Sequence, residues 1–164
     1  MARIYKRASL EERFWNKVSV LGKDECWPWT GSVMGTGYGN IKVSLEAGNV
    51  YAHRLSYEIA NGPIPEGLMV DHSCLNRICV NPAHLRLATV KQNNENMPGA
   101  RRHSISGIRG VHYDARCNRW YAYVIHNRER LNLGGFDCAE DAEAAAIQKR
   151  NELFTHNTLD RKSA

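Results

Sequence analysis

Apolar residues recur along this chain with two different periods, and the changes of period mark out its elements. Leu10, Phe14 and Val18 are spaced as on one face of a helix, and Ser9-x-x-Glu12 forms a capping box, so Ser9 to Val20 is predicted as a short amphipathic helix. Beyond a glycine-rich turn at Gly35 the period becomes two. Ile41 and Val43 alternate with Tyr38, Asn40 and Lys42, and a second strand at Asn49 to Ala52 pairs back across Glu46-Ala47-Gly48. His53 to Asn61 returns to helical spacing, with Leu55, Ile59 and Ala60 on one face, and Gly62-Pro63 stops it. Leu68, Met69 and Val70 then form a short strand ending at Asp71-His72. Asn81-Pro82 opens a brief helical turn, Leu85 and Leu87 alternate with Arg86 and Ala88 in another strand, and Thr89-Val90-Lys91-Gln92 opens a helix. The order strand, loop, strand, helix places His72 at the end of the first strand and Asn93 about one turn into the helix. Two polar groups would face each other across a small ββα unit.

Asn94 to Ser106 reads as a linker, broken by Pro98-Gly99 and made basic by Arg101, Arg102 and His103. After it, period-two alternation puts Val111, Trp120, Ala122, Val124 and Leu133 on a face that a helix from Glu140 to Leu153 could cover. Arg109, His112, Tyr121, Tyr123, Arg130 and Asn132 are left on the open face.

Charge changes the picture here. Seven arginines (101, 102, 109, 116, 119, 128 and 130) stand between Arg101 and Arg130 against Asp114 and Glu129, a surplus equal to the whole chain's net +5. Arg116, Arg119 and Arg128 therefore join the open-face residues as candidate contacts. Arginine interleaved with Tyr113, Trp120, Tyr121 and Tyr123 points to a polyanion, most simply nucleic acid; the bland alternative is a solvated sheet face.

Candidate metal chemistry lies between the two strands of the ββα unit. Cys74, Cys79 and His84 stand at equal five-residue intervals in a polar segment, a donor set suited to tetrahedral Zn²⁺. Cys26, in CWPWTG, is the only other cysteine in the N-terminal half and completes a Cys3His assignment. The alternative is buried free cysteines with a helix-cap histidine. Cys117 and Cys138 remain as free thiols, which fits a reducing compartment.

The string H-x-C-x4-C-x-N-P-x-H-L followed by Asn93 resembles the His-Cys box homing endonucleases and related phage HNH endonucleases, the ββα-metal nucleases. CWPWTG, GYGNI and AHRLSYE look like that family's upstream half, so the resemblance spans Cys26 to Met97. It implies His72 as general base, Asn93 as ligand of a catalytic Mg²⁺ or similar ion, and structural zinc on Cys26, Cys74, Cys79 and His84. Asp71 stands where many HNH enzymes place a second ligand of the catalytic metal, and His84 where the middle asparagine of the HNH name would stand. Arg54, one helix upstream of His72, is a candidate phosphate contact or a helix-packing residue.

Residues 107–164 resemble the APETALA/ethylene-response-factor type of DNA-binding domain through Arg109-Gly110-Val111, Trp120-x-Ala122, Leu133-Gly134-x-Phe136 and the alanine-rich helix. That likeness implies a three-stranded antiparallel sheet packed on one helix, with its open face in the major groove. The expected architecture is thus α+β: a zinc-stabilised ββα-metal nuclease domain over 1–97, a basic linker over 98–106, and a sheet-type DNA-binding domain over 107–164.

Composition adds exclusions. The chain has 164 residues, no apolar run long enough to cross a membrane, and a MARIYKRASL terminus without a signal peptide's apolar core, so it is expected in the cytoplasm (of the host, for a phage protein) and not secreted. The expected activity is sequence-preferring cleavage of double-stranded DNA, by a monomer that nicks or a homodimer that cuts both strands. A non-catalytic DNA-binding regulator with the zinc knot as scaffold is the rival. An RNA nuclease fits less well, because a sheet cannot enter the deep groove of A-form RNA.

Overall fold

The computed structural model describes residues 8–162. The chain is mixed α/β with small antiparallel sheets and divides into two compact units, Met1–Val90 and Lys91–Ala164. Among the described residues no helix is long and apolar enough to cross a membrane.

In the first unit, α1 (Leu10–Trp15) starts at the expected capping box. Ser9 Oγ accepts from the Glu12 amide at 3.1 Å, and the Glu12 carboxylate accepts from the Ser9 amide at 2.7 Å. The helix is shorter than the spacing predicts. It ends at Trp15 because Val18 pairs as a β-bridge with Trp29 and the Ser19 amide donates to the Pro28 carbonyl, so the chain turns extended to meet the CWPWTG segment. β1 (Asn40–Ser44) and β2 (Gly48–Tyr51) form the expected hairpin, and α2 (Ala52–Asn61) follows directly. Phe14, Trp29, Ile41, Ala52 and Val80 make the buried core; the Phe14 and Trp29 rings stack at 5.4 Å. Gly39 is required there, since a Cβ at that position would enter the Trp29 ring.

β3 (Met69–His72) pairs antiparallel with β4 (Leu85–Ala88), placing Asp71 opposite Arg86 and His72 opposite Leu85. A 3₁₀ turn, Pro82–His84, precedes β4, with Asn81 as its side-chain cap. α3 (Val90–Glu95) begins two residues after β4.

In the second unit β5 (Val111–Asp114), β6 (Arg119–His126) and β7 (Glu129–Phe136) form one antiparallel sheet in sequence order, followed by α4 (Ala139–Leu153) and α5 (Thr158–Lys162). Val111, Ala122, Ala142 and Ala146 are its buried centre, flanked by Ile108, Trp120, Leu133 and Phe136. The small alanines let helix and sheet approach closely. Gly110, at φ 78°, sits so near the Tyr123 carbonyl that a Cβ would strike the oxygen. Beneath, the buried Arg150 pairs with Asp160 through Nε–Oδ2 at 2.6 Å and Nη2–Oδ1 at 3.0 Å. The break between units at Val90 groups α3 with the sheet unit, whereas the sequence reading placed it with the nuclease. Its last residues and those just beyond bond to residues 109, 155 and 158.

Phe14 is fully buried between two tryptophans, so Phe14→Ala is expected to destabilise the first unit by about 3–5 kcal/mol. Urea denaturation followed by tryptophan fluorescence would measure it.

Candidate active site and metal centre

Three backbone links bring Cys26 to the loop that follows β3. The Trp29 amide donates to the Ile78 carbonyl at 2.8 Å, the Val80 amide to the Trp27 carbonyl at 2.9 Å, and Pro28 bridges Cys79 between them. Asn81 tightens the junction from the side, its Nδ2 donating to the carbonyls of Lys23 and Glu25 at 2.9 and 2.7 Å. As a result the donor atoms of Cys26, Cys74, Cys79 and His84 all lie within 4.8 Å of one another. His84 Nδ1 is 3.7 Å from the Cys26 sulfur and 3.6 Å from the Cys79 sulfur. Bonds of about 2.3 Å to sulfur and about 2.0–2.1 Å to nitrogen at a tetrahedral centre require S···N edges of about 3.6 Å. The cluster is therefore compatible with zinc. Without a metal, a hydrogen bond from Cys74 pulls the Cys79 thiol down, while the same contact, with burial, pushes the Cys74 thiol well up. Zinc binding would displace the Cys74 proton, since the thiolate is the ligand.

Cys79 links this centre to His72. Its backbone carbonyl lies 3.0 Å from His72 Nε2, and because a carbonyl can only accept, Nε2 carries the proton. The tautomer is thereby set, with Nδ1 as the basic nitrogen. Burial lowers the basicity of the ring, and the Cys79 carbonyl and Asp71 offset part of that loss. Asp71, also buried, receives Arg86 Nε and Nη2 on Oδ2 at 3.0 and 2.9 Å. Arg86 had no place among the sequence candidates. Its cross-strand register with Asp71 is the signal that could have found it, since directly opposed residues of a hairpin form such pairs.

His53 was also missed. It lies in the AHRLSYE stretch beside Arg54, at the start of α2, and its ring packs 4.7 Å from that of His72 and 5.3 Å from Tyr38. Its Nδ1 is buried without a hydrogen-bond partner. Burial, then the charges of His72 and Arg54, bring its pKa down to about 3. Arg54 itself is half-buried on α2.

The second unit holds Asn93, half-buried on α3, and the candidate nucleic-acid contacts. On the sheet's open face His112 stacks on Tyr121 at 5.6 Å, and Arg130 lies over the Tyr123 ring at 3.9 Å while its Nε donates to Asn132. Arg128 sits in the β6–β7 turn with φ 70°, and Arg101 and Arg102 are exposed. Arg116 is engaged by Asp114, and Arg119 by the Gly135 carbonyl and Asp137. Arg109 departs from the expected open-face position. Its guanidinium is turned to the carbonyls of Asn94, Glu95 and Met97 because helix α3 ends there with carbonyls to satisfy.

Residues 50–95 match the family described as HNH endonuclease. Protein 3.8 of Escherichia phage T7 is 32% identical over 101 residues, which cover 62% of this chain and 82% of that protein. The chain belongs to that protein's family. Protein 7.7 of the same phage is 43% identical over 74 residues, 45% of this chain and 55% of its own length. Protein 2.8 is 36% identical over 88 residues, 54% of this chain and 59% of its own. The chain thus spans little more than half the length of those two relatives. No solved structure matches it. The HNH match runs through α2, β3, β4 and α3, taking in His53, Asp71, His72, three of the four cluster residues and Asn93. It stops at Glu95, and the comparisons do not support the likeness of the C-terminal sheet to the APETALA type.

Because the folded pKa of His53 lies below the ordinary 6.5, the unfolded chain binds a proton that the folded chain refuses at intermediate pH. The stability this represents is complete above about pH 6.5 and is lost as pH falls toward 3. His53→Phe is expected to flatten the dependence of unfolding free energy on pH in that window by about 1.4 kcal/mol per pH unit, one proton's worth. Urea titrations at several pH values and matched zinc content would show it.

Proposed function

We propose that this protein is a metal-dependent endonuclease acting on double-stranded DNA, with His72 as general base and a sheet-type module of the APETALA kind that supplies sequence preference. The observation that carries the reading is the bond from His72 Nε2 to the Cys79 carbonyl, which presents a neutral imidazole with Nδ1 as its acceptor nitrogen. Such a ring is suited to take a proton from water at neutral pH as the water attacks a phosphodiester. Zn²⁺ held by Cys26, Cys74, Cys79 and His84 would be structural, since four protein donors would fill a tetrahedral site. Asn93 would supply a hard oxygen donor to Mg²⁺ or a similar ion, the role the resemblance gives it, and Asp71 stands where many members of that family place a second ligand. When bound, the ion supplies positive charge for the phosphoryl group and the departing 3′ oxygen.

This chain's own residues do the rest. Arg86 fixes the Asp71 carboxylate, Arg54 is a phosphate contact, and the packed rings of His53 and Tyr38 restrict how His72 can turn. His112, Tyr121, Tyr123, Arg128, Arg130 and Asn132 form the nucleic-acid face, with Arg101 and Arg102 on the linker contacting the backbone. The resemblance implies products with 5′-phosphate and 3′-hydroxyl ends. The host cytoplasm is the proposed site of action.

Two measurements test this. Purified protein is expected to carry one zinc per chain by elemental analysis; Cys79→Ser should lose it and melt at a lower temperature, and a metal-free parent that melts at the same temperature with and without zinc would remove the scaffold role. Supercoiled plasmid should be nicked or linearised when Mg²⁺ is added and left intact when it is omitted. His72→Ala should cut about 10²–10⁴-fold more slowly while binding the same DNA. Parental cutting by that variant would strip His72 of its role, and binding without cutting by the parent would favour a non-catalytic regulator.

A further inference from the structure

A helix of six residues such as α3 has little stability of its own and must be held by what surrounds it. Within Lys91–Ala164 the holding is done from far along the chain. Arg109 Nη1 donates to the carbonyls of Glu95 and Met97 at 3.1 and 2.8 Å, and Nη2 to that of Asn94 at 3.2 Å, so one guanidinium caps the C-terminal end of α3. A cation is also the favourable charge at that end. The guanidinium lies 5.6 Å over the Phe154 ring, and the Arg109 carbonyl accepts from Arg150 at 2.9 Å. Glu95, only 5% exposed, takes the Thr155 amide at 3.0 Å and the Thr155 hydroxyl at 3.3 Å on Oε2. Asn96, 4% exposed, takes the Thr158 amide at 3.1 Å on Oδ1. These groups lie 12 to 62 positions apart in the chain, so the clamp exists only when the sheet unit is folded.

We infer that Arg109, with Glu95, is a positioning residue for Asn93: the sheet unit, besides facing nucleic acid, holds the short helix that presents the catalytic metal's ligand. This rests on the reading of Asn93 as that ligand. The fit is geometric, since the carbonyls that Arg109 grips begin one residue after Asn93 and fix the helical turn that carries it. The order of the turn that carries Asn93 then depends on the fold of the C-terminal unit.

The test uses full-length zinc-loaded protein in a His72→Ala background that does not cut, saturated with a short DNA duplex. Mn²⁺ binding is followed by electron paramagnetic resonance, and hydrogen exchange by mass spectrometry over residues 90–97. Arg109→Gln is expected to weaken Mn²⁺ binding about tenfold or more, as loss of an outer support of a metal ligand does, and to speed exchange in that segment. Its DNA affinity should change far less than its Mn²⁺ affinity, and Arg109→Lys should recover part of both losses. Unchanged Mn²⁺ affinity and exchange would overturn the inference, as would a loss of DNA affinity equal to the loss of Mn²⁺ affinity, which would make Arg109 a DNA contact. Asn93→Ala separates the underlying reading: if it binds Mn²⁺ as its parent does, the ligand assignment fails whatever Arg109 does. Should Arg109→Gln not fold, Glu95→Gln carries the test, with weaker Mn²⁺ binding and faster exchange supporting the inference and parental values overturning it.

Discussion

The first unit depends on one junction, the short ladder between residues 27–29 and 78–80. It places Cys79 where its sulfur can join Cys26, Cys74 and His84 while its carbonyl receives the His72 ring. A loop of this polarity has few apolar groups to bury, and without another constraint its backbone entropy would keep it open. The backbone ladder holds it closed and brings the four donors within 4.8 Å of one another, so backbone and donor set support the same geometry. Once they do, the tautomer of His72 follows from which atom it meets. Closure of the loop and the contact to the His72 ring thus pass through a single residue, Cys79.

The neighbourhood of His72 is an exercise in keeping imidazoles neutral. His53 and His72 pack ring to ring with Tyr38 alongside, and burial disfavours the charged form of both. His53 is the more strongly affected, since His72 retains the compensating Cys79 carbonyl and Asp71. Arg86 in turn fixes the Asp71 carboxylate across the hairpin. Two adjacent histidines therefore differ in character: His72 has the Cys79 carbonyl and Asp71 to offset burial, whereas His53 has a buried Nδ1 without a hydrogen-bond partner and the like charges of His72 and Arg54 beside it.

Much of the fold was legible locally. The capping box at Ser9, the cap at Asn81, and period-two alternation through β1 and β6 rest on residues close in sequence, and those elements form where the pattern puts them. The early end of α1 was not legible, because Val18 leaves the helix to pair with Trp29, a partner chosen by the tertiary fold. Arg109 shows the same limit in another form. Alternation assigns it to the open face, but it precedes β5 and its neighbour Gly110 adopts a left-handed turn, so the alternation does not extend to it.

The amino-acid sequence by itself determined the donor set, the equal spacing of Cys74, Cys79 and His84, the placement of a histidine at a strand end, and the concentration of arginine between Arg101 and Arg130. These are properties of residue type and short-range order, which the covalent chain carries unaided. Only the tertiary structure decided which ring nitrogen of His72 is protonated, that His53 lies against it, that Arg86 holds Asp71, and that Arg109 caps the helix of Asn93. Each of those depends on a contact between groups brought together by packing, and neither the period of a pattern nor the identity of a residue specifies what stands opposite it in space.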